Sequence, residues 1–286
     1  AWAVKAGGVV QLAIQLPAAW RVGFRWHWRW REPGSREITT LLVPRLVGTA
    51  VYQASVFLDT ILASLAIAGP GAVAALYFAT RLVQLPLALF ATASAQASLP
   101  TLAERAAVND LETFRRTVLS VLRLVVCESV PAAVGLIVLA GPIVQVCFRR
   151  GAFDQASALM TAQVLGSLAV GLVGYGLNKV LTGAFYALKD TRTPVRLAFE
   201  ALVINMTLAV LLLPVWHVGG LALAASLSSM LNAWRLLRGL ERRLGRPLIS
   251  ELLDPLARVG AASGLMGAAC AAAWIAVHGR VPGAVG

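Results

Sequence analysis

Thr117 to Phe148 reads TVLSVLRLVVCESVPAAVGLIVLAGPIVQVCF, thirty-two residues with two charged side chains, Arg123 and Glu128. A helix needs about 20 largely apolar residues to cross roughly 30 Å of hydrocarbon. In lipid every backbone N–H and C=O must be satisfied within the segment or in a closed barrel. A block this long is no barrel strand, which needs only about 10 residues. It therefore reads as a transmembrane helix, and the rest of the chain repeats the pattern. Further apolar blocks fall at about 5–20, 39–68, 71–102, 155–188, 193–214, 218–240 and 255–278. The whole is 58% hydrophobic and 13% charged over 286 residues, with a mean hydropathy of +0.76. Soluble domains carry about 25% charged residues. The fold class is all-α, a polytopic transmembrane bundle.

The net charge of +12 would suit nucleic acid, but its placement assigns it elsewhere. Lys and Arg alternate between loops. Residues 21–37, 104–116, 189–196 and 235–246 hold sixteen of them, and the intervening loops hold Arg149, Arg150 and Arg280. That asymmetry is the positive-inside signal and puts the first set in the cytoplasm. The stretch from Arg25 to Arg31, with His27, alternates Trp and Arg and suits an interfacial anchor among membrane lipids. No nucleic-acid partner is expected. Cys127, Cys147 and Cys270 show no metal spacing. His27, His217 and His278 all fall at expected interfaces, and no catalytic constellation is present, so no enzyme is expected. The chain starts at Ala1 without a signal-peptide layout and reads as a piece of a longer protein.

Ionisable groups inside spans are costly and mark function by default. Arg81 lies mid-span, with Gln84 one turn on. Its planar, permanently charged guanidinium suits a phosphate anion. The competing reading is a structural ion pair with a carboxylate. Asp59 could ligate a cation, relay a proton or pair with Arg81, and Asn205 could add an oxygen. Glu128 and Lys179 are secondary candidates, and Glu200 sits near a helix start. Arg45 and Arg258 lie near helix ends and can snorkel; Lys5 has no clear place. Pro86, Pro131, Gly171, Gly174 and Gly176 interrupt the spans, as hinges or as close-packing points.

Three stretches resemble the MurJ (MviN) family of lipid II flippases. They are Pro44 to Gln53 continuing through Leu58 to Ser64; Tyr77 to Pro86 with Leu99 and Pro100; and Arg150 to Phe153 with Ala184 to Pro194. The resemblance covers essentially the whole chain. It implies the second six-helix lobe of a MOP-superfamily exporter at 39–246, preceded by the end of the first lobe and a basic linker at 1–38. An additional C-terminal helix would follow at 247–286. It implies transport of undecaprenyl-pyrophosphate-linked peptidoglycan precursor, lipid II, from inner to outer leaflet of the bacterial inner membrane by alternating access. By resemblance Arg81 and Gln84 line the substrate cavity, and Asp59 and Asn205 match a sodium site. The sequence departs from the family there, with Ala209 in place of a carboxylate and with Thr80 and Gln84 in place of acidic residues. No cofactor is implied beyond Na⁺ or H⁺ as coupling ion. The partners implied are lipid II and other cell-wall synthesis proteins. The alternatives are another MOP exporter, for polysaccharide lipids or drugs and cations, and a non-transporting cell-wall scaffold.

Overall fold

The computed structural model describes residues 2–21, 23, 35–150 and 153–278, without the side chains of 2–5, 35–41, 44, 45, 66, 277 and 278. The Arg25–Arg31 anchor, Arg280 and the side chains of Lys5, Arg45 and His278 therefore lie outside what is described. Among the described residues every element is helical. The chain forms two compact units, Ala1–Leu42 and Val43–Gly286. The first holds α1 (Trp2–Arg21) and the opening of α2 (Ser35–Ser64). The second holds the rest of α2, a short 3-10 turn at Ala66–Ala68, α3 (Ala72–Pro86), a π-helical turn at Leu87–Thr92 and α4 (Ala93–Ala107). Then come α5 (Leu111–Val138), α6 (Ala140–Phe148), α7 (Gln155–Val170), α8 (Leu172–Ala187), α9 (Arg192–Leu244) and α10 (Ile249–His278).

Aspartates decide where several of these helices start. Asp110 accepts the Thr113 N–H at 3.1 Å, and Asp154 accepts the Ser157 N–H at 2.9 Å. Each satisfies one of the donors a helix N-terminus leaves open. Capping by Asp110 starts α5 six residues before the apolar pattern suggests. That helix also stops earlier than expected, at Val138, where Leu139 leaves helical geometry and α6 begins. Asp190 does the same work for α9, accepting the N–H groups of Arg192 and Thr193 at 3.1 and 3.0 Å. It also ion-pairs with Arg243. Burial pushes the Asp190 carboxyl up, but these hydrogen bonds and the Arg243 charge outweigh it and hold it below the usual carboxylate range. A carboxylate held low stabilises the fold above its unfolded value and loses that contribution as pH falls through the folded one. Replacing it by Ala should cost about 2 kcal/mol through the lost cap and charge-assisted bonds. Thermal unfolding of Asp190→Ala in detergent at neutral pH checks this. The deficit relative to wild type should shrink in acid.

The apolar run at 193–240 forms one hydrogen-bonded stretch that doubles back. His217 sits at φ 50° and ψ −138°. Glu200 meets Arg235 at 2.7 Å, and Asp190 meets Arg243. In a straight helix at 1.5 Å per residue the first pair would be about 50 Å apart. Residues 192–216 and 218–244 are therefore antiparallel partners, as the apolar pattern at 193–214 and 218–240 predicts. A Cβ on Gly220 would sit 2.5 Å from the Leu212 carbonyl oxygen, so the reversal tolerates only glycine there. Among the described residues five helices are long and apolar enough to span a membrane, and α7 with α8, bent by 44°, would make a sixth if the pair is one span. The reversal at His217 turns one of these into two crossings.

The breakers act in three ways. Pro131 is carried inside a continuous α5. Pro86 ends α3 and opens the π turn, with no break in the path to Ala107; a missing proline N–H shifts the pairing locally. Gly171 separates α7 from α8. At that break the Leu168 carbonyl accepts the Gly171 N–H at 3.0 Å, and the Ser226 hydroxyl of α9 donates to the carbonyls of Ser167 at 2.7 Å and Leu168 at 3.3 Å. A Cβ on Gly174 would lie 2.9 Å from the Met230 nitrogen, and one on Gly176 would lie 2.8 Å from a Val125 methyl. All three glycines are packing points, and Gly171 is also a bend.

The C-terminal helix starts at Ile249, not at Pro255 as the sequence suggests. Glu241 supplies the reason: its Oε1 accepts the N–H groups of Leu248 and Ile249 at 2.5 and 2.7 Å. Pro255 then sits within α10 and cannot donate to the Glu251 carbonyl. Arg123 donates to that carbonyl at 3.3 Å instead. α10 lies along α5.

Candidate functional site

α3 buries Ala72, Ala75, Ala79 and Val83 on one face, against α7. Helical spacing then puts Val73, Tyr77, Arg81, Gln84 and Leu85 on the opposite face, where all five are exposed. Among the described residues Arg81 is held by its own helix. Its Nη1 donates to Gln84 Oε1 at 3.2 Å and its Nη2 to the Tyr77 hydroxyl at 3.3 Å. The guanidinium carbon lies 4.9 Å from the Tyr77 ring centre. Thr80, where the family often has an acidic residue, turns its hydroxyl back to the Leu76 carbonyl at 2.7 Å. No described carboxylate pairs with Arg81. The arginine is thus pre-ordered by neutral neighbours, with no carboxylate among the described residues against its charge, an arrangement that receives an anion at little further ordering cost.

Asp59 and Asn205, 146 positions apart, come together. Asn205 is 3% exposed. Its Nδ2 donates to Asp59 Oδ1 at 3.0 Å and reaches Ser55 Oγ at 3.4 Å, and its Oδ1 is buried without a partner. Ala209, one turn on, is fully buried. The amide faces Asp59 with its N–H groups, and Ala209 offers no oxygen where a second carboxylate would complete a hard-cation shell. Asp59 forms no ion pair with Arg81, so that alternative falls. No group of three or more His, Cys, Asp or Glu that could hold a metal occurs among the described residues.

The secondary candidates separate. Lys179 is exposed on α8 and joins no ion pair among the described residues. Glu128 is half-buried in α5, and its Oε2 is enclosed without a hydrogen-bond partner. Neither is brought to Arg81. Glu200 is bound by Arg196 at 3.0 Å and Arg235 at 2.7 Å, a structural clasp between the two arms of α9. Sequence reasoning passed over Tyr77 and Ser55 as site residues. Both lie four positions before a site residue on the same helix face, a signal the chain does carry. The three free cysteines are Cys127, Cys147 and Cys270.

The family model described as "Lipid II flippase MurJ" matches residues 1–282. The chain belongs to the MurJ family. Among its relatives, the probable lipid II flippase MurJ of Haemophilus influenzae is 36% identical over 244 residues, 82% of this chain and 47% of its own length. That of Vibrio cholerae is 35% identical over 264 residues, 91% of this chain and 50% of its own. The chain thus spans about half the length of these MurJ relatives. The solved structure "Lipid II flippase MurJ, inward closed conformation" superposes with a TM-score of 0.69 at 23% identity, over 84% of this chain and 49% of that one. A MOP-superfamily transporter from Pyrococcus furiosus superposes at 0.63 and 19% identity, over 80% of this chain and 52% of that one. These likenesses show the fold: the MOP transporter architecture that the MurJ resemblance implies. It is a multi-pass membrane protein of a transporter family.

Proposed function

We propose that this chain acts in moving lipid II from the inner to the outer leaflet of the bacterial cytoplasmic membrane, as a transporter and not as an enzyme. The carrying observation is Arg81. It stands exposed on the face of α3 that carries Val73, Tyr77, Gln84 and Leu85, and has no carboxylate partner among the described residues. A pyrophosphate cannot cross hydrocarbon unaided, because burying its charge without partners costs far too much. An arginine set into a wet cavity between lobes would carry that charge while the lipid tail stays in the bilayer. Membrane potential adds about 2.3 kcal/mol per charge per 100 mV. The scaffold alternative requires Arg81 to be satisfied by a carboxylate, and the described geometry supplies none. The test is complementation: the full gene encoding this chain is expressed in cells depleted of their own flippase. Sustained growth and wall synthesis are expected. Lysis despite normal membrane levels overturns the reading.

For coupling, the Asp59–Asn205 geometry favours a proton carried by Asp59 over sodium. In proteoliposomes of the full-length protein, transport should respond to an imposed proton gradient, and Asp59→Asn should abolish that response. A wild-type response to a sodium gradient alone would overturn the assignment.

A further inference from the structure

A second charged feature lies away from Arg81. Between the first turns of α5 and the start of α10 is a groove of about 420 Å³ lined by Glu112, Arg115, Arg116, Ser120, Arg123 and Glu251 around Leu119. Arg115 directs Nη1 and Nη2 to Glu251 Oε1 at 3.0 and 2.9 Å. Its Nε is buried without a partner. Arg116 uses only Nε, towards Glu112 at 3.0 Å. Arg123 uses only Nη2, towards Glu251 at 3.3 Å. Three guanidinium groups face two carboxylates, which leaves one positive charge and several open N–H donors in one groove. By the loop charges this end of α5 is cytoplasmic, the side where anionic lipids attract basic residues. Arg123 lies about 12 Å deeper along the helix than Arg115, so the groove runs from the cytoplasmic surface towards headgroup depth.

We propose that this groove binds the phosphate of an anionic phospholipid from the cytoplasmic leaflet, and that the bound lipid clamps α10 to α5. One surplus charge matches one phosphodiester. Two guanidinium forks and the Ser120 hydroxyl provide the donors. The inference is independent of the transport reading.

The test counts phosphatidylglycerol bound to the purified full-length protein in phosphatidylcholine nanodiscs. Wild type should hold a phosphatidylglycerol that Arg116→Gln/Arg123→Gln releases, with affinity falling about tenfold. That double variant leaves the Arg115–Glu251 pair in place. Ser120→Trp fills the groove without changing its charge and should do the same, so the result does not hang on one variant's folding. Arg196→Gln/Arg242→Gln, elsewhere on the cytoplasmic side, should keep the lipid. Unchanged binding in both groove variants overturns the proposal. So does equal loss in the distant variant, which would mean surface potential alone. Displacement of the lipid by inorganic phosphate would assign the groove to free phosphate instead and also overturn it.

Discussion

Arg81→Ala in the full-length protein should abolish growth in cells depleted of their own flippase, and Arg81→Lys should fail as well. Among the described residues the guanidinium contacts Tyr77 and Gln84 on its own helix. Its removal should therefore leave thermal stability almost unchanged, since exposed pairs of this kind contribute about 0.2–0.5 kcal/mol. Its loss to a bound pyrophosphate would be far larger. Two charge-assisted hydrogen bonds at about 1.5–3 kcal/mol each amount to a hundredfold or more in rate. Lysine keeps the charge but loses the planar fork, so it restores attraction without bidentate geometry. The decisive comparison sets transport rate in proteoliposomes beside unfolding temperature. A large fall in rate at unchanged stability places Arg81 on the substrate. Parallel falls in both make it a structural residue, and normal transport in both variants removes it from the mechanism.

Gly171→Val should prevent the protein from accumulating in the membrane. A Cβ at that position would meet Ser226 Cα at 2.7 Å, together with its Oγ at 2.7 Å and Cβ at 2.8 Å. One of those contacts is backbone, so no rotamer change relieves it. Overpacking of this kind costs about 1–3 kcal/mol or more, and here it also parts the Ser226 hydroxyl from the carbonyls of Ser167 and Leu168. The Ser167 carbonyl would then be left without its donor in a dry interface. Gly171→Ala should show a smaller defect of the same sign. Ser226→Gly in the Gly171→Ala background should recover only part of it, because the Cα clash remains and the carbonyls lose their donor. Membrane levels and detergent unfolding of the single and double variants measure the coupling. Wild-type levels of Gly171→Val would show that α9 does not approach α8 as closely as 2.7 Å implies.

Long apolar blocks and alternating loop charge made the helical membrane class and the cytoplasmic face legible in the chain alone, because the bilayer imposes length and charge placement on every span separately. The motif around Arg81 and its neighbour Gln84 was legible for a related reason: an ionisable group mid-span is conspicuous, and positions three and four apart on a helix must be neighbours. Pairings over long separations were not. Asp59 with Asn205, Glu200 with Arg235, and Arg115 and Arg123 with Glu251 depend on how helices cross, and no local period encodes that. The same limit explains the misplaced start of α10. Pro255 reads as a first-turn proline, but Glu241 on the preceding helix caps Ile249, and Arg123 of α5 takes the carbonyl that Pro255 leaves open. Sequence alone determined what each segment is and which residues are too polar for their depth. Tertiary structure alone decided which of those residues have partners, leaving Arg81 without a carboxylate among the described residues and Asp59 with an amide, because partnership depends on packing between segments far apart in the chain.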